Sequence, residues 1–362
     1  MSRLPDRLKG LLIDVYARLA EERMRRAKGP ARLILYVTGR CTRRCRYCFY
    51  INHLSDGDSA EMNLNEIRAL AGSLPRRLSL ITLTGGEPLL RKDLPEIVQA
   101  FSQINRTRTI SIVTNGDLPS EAESAASRML ETTSSSLSFT VSVQSLEDLQ
   151  PGSGPADTLE KLIKQQRRDD RIELVAAQTT LSRDNVEQLD ELMETIERRW
   201  RIPYKLQFIR GVTGNVFPSG GAVLSDLTPN DFGAQELSIE QQLAAIESVR
   251  KRLQHSQHSL SMHTELLLLE LSLQVLQTKQ APFPCVAGSA DCVVFERGAV
   301  SVCENLAPFA ELRDFDMDFA ALWRSIQARQ AQRAVAGCAC THPCNLATSL
   351  SYSSKGLRGL LL

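Results

Sequence analysis

The chain has 362 residues, 43% apolar and 23% charged, with a formal net charge of +1. This is the composition of a globular protein. It excludes a nucleic-acid partner held by a global basic field, and no apolar run is long enough for a transmembrane segment or a signal peptide. The expected compartment is therefore the cytoplasm, where thiols stay reduced, so the nine cysteines point to metal chemistry rather than to disulfides.

In chain order, residues 1–30 read as one helix, with Leu8, Leu11, Leu12, Val15, Leu19 and Met24 at helical spacing and Gly29-Pro30 as the stop. It carries eight Lys/Arg against four Asp/Glu, which predicts a packing helix with a solvated basic face. A weak contact with a membrane surface is the alternative. Residues 31–215 alternate between strands and helices. The strands are predicted at Leu33–Val37, Leu78–Leu83, Thr109–Val113, Phe139–Val143, Ile172–Ala177 and Lys205–Ile209. Helical patterns lie between them, among them Asn65–Leu74, Leu94–Phe101, Thr158–Gln166 and Asn185–Arg198. The run Thr132–Ser138 reads as a loop. Alternation of this kind implies parallel strands with right-handed crossovers, and six units are fewer than the eight of a closed barrel. The fold class is thus α/β, a partial (β/α)6 TIM-like barrel with its functional residues at the C-terminal strand ends. A helical connector over 216–280, with helices near Ile239–Leu253 and Thr264–Gln277, leads to a small cysteine-rich domain over 281–350 and a C-terminal tail over 351–362.

The cysteines are unevenly spread. Cys41, Cys45 and Cys48 follow the first strand, and none occurs again before Cys285. Thiolates favour iron–sulfur clusters or zinc. Three of them leave one iron of a [4Fe-4S] cubane open to an outside ligand, whereas a zinc knuckle would borrow a distant fourth. Arg40, Arg43, Arg44 and Arg46 surround the triplet and read as solvated charges. The second strand ends in Thr84-Gly85-Gly86-Glu87-Pro88, where two glycines permit close backbone approach and Glu87 supplies a carboxylate. Near the C-terminus stand Cys285, Gly298 and Cys303 with four residues between them, and the set Cys338, Cys340 and Cys344. Cys292 sits in the strand-like run Asp291–Phe295 and reads as core. His342 reads as a residue that shapes its loop.

The spacing C-x3-C-x2-C after one strand, with Gly85-Gly86-Glu87-Pro88 after the next, resembles the radical S-adenosylmethionine (SAM) superfamily. The resemblance covers roughly residues 32–210. It implies a [4Fe-4S] cluster on Cys41, Cys45 and Cys48, with Tyr47 as the motif's aromatic residue, and SAM chelating the open iron. It further implies an enzyme of oxidoreductase or transferase type that generates a 5′-deoxyadenosyl radical, with flavodoxin or ferredoxin as reductant. By strand-end position, Gly85, Gly86, Glu87, Pro88, Asn115, Ser142, Gln144, Thr180 and Arg210 are the implied SAM contacts. Relatives often read Ser-Leu-Asp-Gly where this chain has Ser142-Val143-Gln144-Ser145, so the acidic residue is missing. The C-terminal cysteines resemble the auxiliary-cluster domains called twitch and SPASM. They imply a second [4Fe-4S] cluster on Cys285, Cys303 and Cys344, with Cys338 and Cys340 competing for the remaining place, or a zinc ribbon. The substrate is expected to be a non-peptide metabolite (a sugar, lipid or secondary metabolite) that is oxidised, epimerised or bonded, because about 30 residues before the first strand are too few for a leader-binding domain. A peptide maturase working with a separate leader-binding partner and a non-catalytic electron-transfer protein are the alternatives.

Overall fold

The computed structural model describes residues 6–57, 60–209, 216–217, 221, 223–224, 235–254 and 259–361. Helix α1 (Asp6–Arg26) precedes six strands: β1 (Arg32–Thr38), β2 (Leu80–Gly85), β3 (Thr109–Thr114), β4 (Ser136–Ser142), β5 (Ile172–Leu181) and β6 (Tyr204–Phe208). They alternate with α2 (Leu64–Ser73), α3 (Leu94–Asn105), α4 (Pro119–Thr132), α5 (Gly154–Gln166) and α6 (Leu189–Arg199). All five neighbouring pairs are parallel and in sequence order. The sheet does not close, since β6 ends it on one side.

The strands obey a period of two. Leu33, Leu35 and Val37 of β1 join Ile81, Leu83, Ile110 and Ile112 in the large core under the helices. The alternate positions, Arg32, Ile34, Thr82, Thr84, Ser111 and Thr140 among them, line the concave face. Hydroxyls are tolerated there because that face lines a cavity rather than packing against a second apolar layer. This explains one departure from expectation. The run Thr132–Ser138 is not all loop: α4 extends to Thr132, and β4 begins at Ser136. Ser136 and Ser138 alternate with buried Leu137 and Phe139, so a loop-like composition here marks a polar strand face.

After β6 come the short strand β7 (Val216–Phe217) and helices α7 (Ile239–Leu253) and α8 (Ser259–Thr278). The cysteine-rich segment forms β8 (Asp291–Val294), β9 (Ala299–Ser301) and β10 (Ala310–Glu311). Strand β8 pairs in parallel with β1, so these strands extend the barrel sheet to nine in the order β10-β9-β8-β1-β2-β3-β4-β5-β6. Cys292 is wholly buried on β8. Helices α9 (Phe319–Trp323) and α10 (Ile326–Ala334), strand β11 (Ala339–Cys340, paired with β7), and helices α11 (Pro343–Leu350) and α12 (Ser354–Leu361) complete the described chain.

Helix α1 lies the other way round from its predicted packing. It contacts the body through Gly10, Ile13 and Ala17, beside Leu268, Leu271, Leu350 and Leu357. Leu8, Leu11, Leu12, Val15 and Leu19 face outward instead. The small residues let α12 approach closely: the Arg358 guanidinium lies against Gly10 and pairs with Asp14 at 2.7 Å. No helix among the described residues is long and apolar enough to cross a membrane.

Candidate functional site

The loop after β1 presents Cys41, Cys45 and Cys48 half-buried as free thiols. It is held by the turn after β2. The Gly86 N–H donates to the Thr38 carbonyl at 2.8 Å, and the Glu87 N–H donates to the Arg40 carbonyl at 2.7 Å. A Cβ on Gly85 would lie 2.3 Å from the Thr38 oxygen, and one on Gly86 would lie 2.0 Å from the Arg40 oxygen. Gly85 also has φ +126°, a conformation that favours glycine. The glycines are therefore needed first for backbone packing against the cysteine loop.

Glu87 is fully buried and satisfied from within. Its carboxylate accepts from the Asn115 N–H at 2.7 Å, the Thr114 hydroxyl at 2.8 Å and the Leu89 N–H at 3.0 Å. Burial outweighs these bonds and pushes its pKa up to about 7. Glu87 thus ties the ends of β2 and β3 together, and Pro88 opens the short helical turn that it caps. The Asn115 amide reaches Thr42 Oγ1 at 2.8 Å and Cys41 Sγ at 3.7 Å. Arg43 is not merely solvated. It bonds Asp117 at 2.5 Å and 2.9 Å and Asp148 at 3.1 Å, while the Gln144 N–H donates to Asp148 at 2.7 Å. Asp117 and Asp148 escaped sequence reasoning; the only signal was that Asp117 follows Asn115-Gly116 at a strand end. Arg44 and Arg46 are exposed. Tyr47 is half-buried beside Cys45, and burial pushes its phenol upward.

Across the remaining strand ends, Ser142 closes β4, Gln144 Oε1 accepts from the Thr180 N–H at 3.1 Å, and Gln207 donates to the Thr180 hydroxyl at 2.9 Å. Arg210 lies outside the described residues. The donor set and exposure of the Cys41 loop fit a cluster with one open iron.

The C-terminal cysteines divide. Cys285, Cys303, Cys338 and Cys340 line one small enclosed space together with Asn345. The Asn345 amide donates to Cys303 Sγ at 2.9 Å, and the Asn305 N–H does so at 3.4 Å. Burial raises all four thiols, Cys285 to about 12, so they stay protonated without a metal. Cys344, expected among the ligands, sits elsewhere. It begins the first turn of α11, where its side chain lines the barrel cavity.

Glu304 lines the same cavity, with buried His342 and Tyr36 behind it. Glu304, His342 and Cys344 place their ligating atoms within 4.8 Å of one another. The Tyr36 hydroxyl donates to Glu304 Oε1 at 2.6 Å, and His342 Nε2 lies 2.6 Å from Glu304 Oε2. The Asn345 N–H donates to His342 Nδ1 at 3.2 Å, capping α11. Since Nδ1 accepts, Nε2 carries the proton and donates to Glu304. That tautomer leaves no imidazole lone pair for a cation, so this trio does not fit a metal site. The cavity itself is about 370 Å³. Below the trio, Lys205 Nζ donates to Thr140 at 3.0 Å, and burial lowers its pKa against the pull of Glu265 and Cys344.

Residues 35–202 match the radical SAM superfamily. Similar curated proteins include GTP 3′,8-cyclase of Stenotrophomonas maltophilia (strain K279a), 39% identical over 87 residues, which are 24% of this chain and 27% of that protein. GTP 3′,8-cyclase 1 of Mycobacterium tuberculosis (strain ATCC 25618 / H37Rv) is 38% identical over 104 residues, 27% of this chain and 28% of that protein. The chain therefore spans little more than a quarter of the curated relatives it matches. In fold it is similar to Streptococcus suis SuiB bound to precursor peptide SuiA (TM-score 0.58, 14% identity, 88% of this chain and 70% of that one). It is also similar to anSMEcpe with bound AdoMet and Cp18Cys peptide (TM-score 0.53, 13% identity, 89% and 83%). The matched stretch carries the strand ends where the three cysteines and the Gly-Gly-Glu-Pro turn meet, so residues 35–202 are similar to the radical SAM superfamily.

Proposed function

We propose that the chain is a radical SAM enzyme that abstracts hydrogen from a small, polar, non-peptide metabolite held in the barrel cavity. The observation that carries the reading is the cavity: about 370 Å³, lined by Thr82, Thr84, Ser111, Thr140, Gln178 and Gln207. Hydroxyls and amides facing inward from successive strands suit a hydroxyl-rich substrate such as a sugar derivative. Cys41, Cys45 and Cys48 would hold the [4Fe-4S] cluster, with Asn115, Ser142, Gln144 and Thr180 at the SAM side. The bound pair supplies one-electron cleavage of the sulfonium and the 5′-deoxyadenosyl radical. Glu304, oriented by Tyr36 and His342, is a cavity carboxylate placed to take a proton from the substrate as it is oxidised. Cys285, Cys303, Cys338 and Cys340 form a complete four-thiolate set for an auxiliary cluster. An external one-electron donor such as flavodoxin or ferredoxin and a reducing cytoplasm, in keeping with nine free thiols, complete the reading.

The second reading is a peptide maturase. It is favoured by the likeness to two folds solved with bound peptides. Anaerobic assays of the reconstituted enzyme with reductant and ring-deuterated sugar derivatives separate the two. Deuterium in 5′-deoxyadenosine, lost in Cys45→Ala, is the expected result. Deuterium transfer from candidate peptides alone would reverse the assignment.

A further inference from the structure

The outward face of α1 has no role in the chemistry above, yet it holds six of the twelve large apolar residues exposed among the described residues. Leu8, Leu11, Leu12, Val15, Tyr16 and Leu19 are each between 42% and 58% exposed. At helical pitch they fall within an arc of about 140° and run for about 17 Å along the axis. Isolated exposed leucines need no explanation, but a continuous stripe marks a docking surface.

The charges choose the occupant. Arg7 and Arg18 border the stripe on one edge and Lys9 on the other, and Arg23 and Arg26 continue the same face beyond Leu19. The acids mostly turn away: Asp14 pairs with Arg358 at 2.7 Å and Glu21 with Arg25 at 2.6 Å. Glu22 is on the outward half but is bound to Arg26 at 2.6 Å. An apolar stripe edged with Arg and Lys, with a tyrosine within it, is the pattern of a helix lying in a bilayer interface. A second copy would oppose cations to cations, whereas an anionic lipid surface neutralises them. The other face of α1 is fixed to the body through Gly10, Ile13 and Ala17, so the stripe is displayed by a rigid helix.

We propose that α1 docks the enzyme peripherally on an anionic lipid bilayer, burying this stripe in the headgroup region while the chain remains outside the membrane. The test is flotation of the reconstituted holoenzyme with phosphatidylcholine vesicles and with 3:1 phosphatidylcholine/phosphatidylglycerol vesicles. Binding to the anionic vesicles at least ten-fold above the neutral ones is expected, falling as salt rises from about 0.1 to about 0.5 M. Arg18→Ser should weaken it about five-fold, and the pair Leu12→Asp with Val15→Asp should abolish it while iron content and Tm stay unchanged. No flotation with anionic vesicles overturns the proposal. So does vesicle-independent self-association that the Leu12→Asp/Val15→Asp protein loses, which would assign the stripe to a second copy.

Discussion

Cys340 and Cys344 are four residues apart and point to different places. Cys340 lies on β11 against the other thiols, and Pro343 and the His342 cap then start α11, whose first turn carries Cys344 to the barrel cavity. Spacing alone groups all the late cysteines together, because it does not show that a strand ends and a helix begins between them. The ligand sets are separable by iron content. Cys344→Ala should keep about eight irons and both EPR signals, whereas Cys340→Ala should keep about four, at four irons per cubane. Loss of four irons in Cys344→Ala would restore Cys344 to the ligand set and remove it from the cavity wall.

At the scale of elements, the cysteine loop, the turn after β2 and the end of β3 form one unit, locked by two glycines and a buried carboxylate. The Thr84–Pro88 run was legible in the sequence as a place of close backbone approach. What approaches it was not, because the partner carbonyls of Thr38 and Arg40 lie nearly fifty residues away along the chain. Strand positions were readable from their Ile, Val and Leu on the helix side. The polar faces were harder, since Ser136 and Ser138 resemble a loop until the cavity beneath them is known. The outward turn of α1 was not readable at all, because its periodicity gives an apolar face without saying what covers it. Two glycine substitutions with opposite signs check this account of the unit. Gly86→Ala forces a Cβ toward the Arg40 carbonyl and should destabilise by about 2 kcal/mol or more, with poorer iron retention. Gly72→Ala, inside α2 with open space around it, should stabilise by about 0.5–1 kcal/mol. Paired melting curves of the two variants decide the point. A harmless Gly86→Ala would mean that the cysteine loop is not packed on this turn.

For the whole molecule, closing the barrel cavity with α8 and α11 has an electrostatic cost, and Glu265 shows it. Its carboxyl lines the cavity, accepts the Leu206 N–H at 2.9 Å, and is pushed by burial from 4.5 up to about 7 despite nearby Lys205. The folded protein thus holds a proton that the unfolded chain releases near 4.5. This contribution to stability is fully present below that pH and is lost as pH rises through about 7. The difference corresponds to roughly 3 kcal/mol. Glu265→Gln keeps an acceptor for Leu206 and carries no charge, so it avoids that loss. Its Tm should be close to the wild-type value at pH 5 and several degrees higher at pH 8, measured anaerobically on the holoenzyme. Asp291 is likewise raised to about 7 and is unchanged in both proteins, so it cancels from the comparison. A Tm difference that does not grow between pH 5 and pH 8 would show that Glu265 is ionised in the folded state, and that the cavity is wetter than its walls imply.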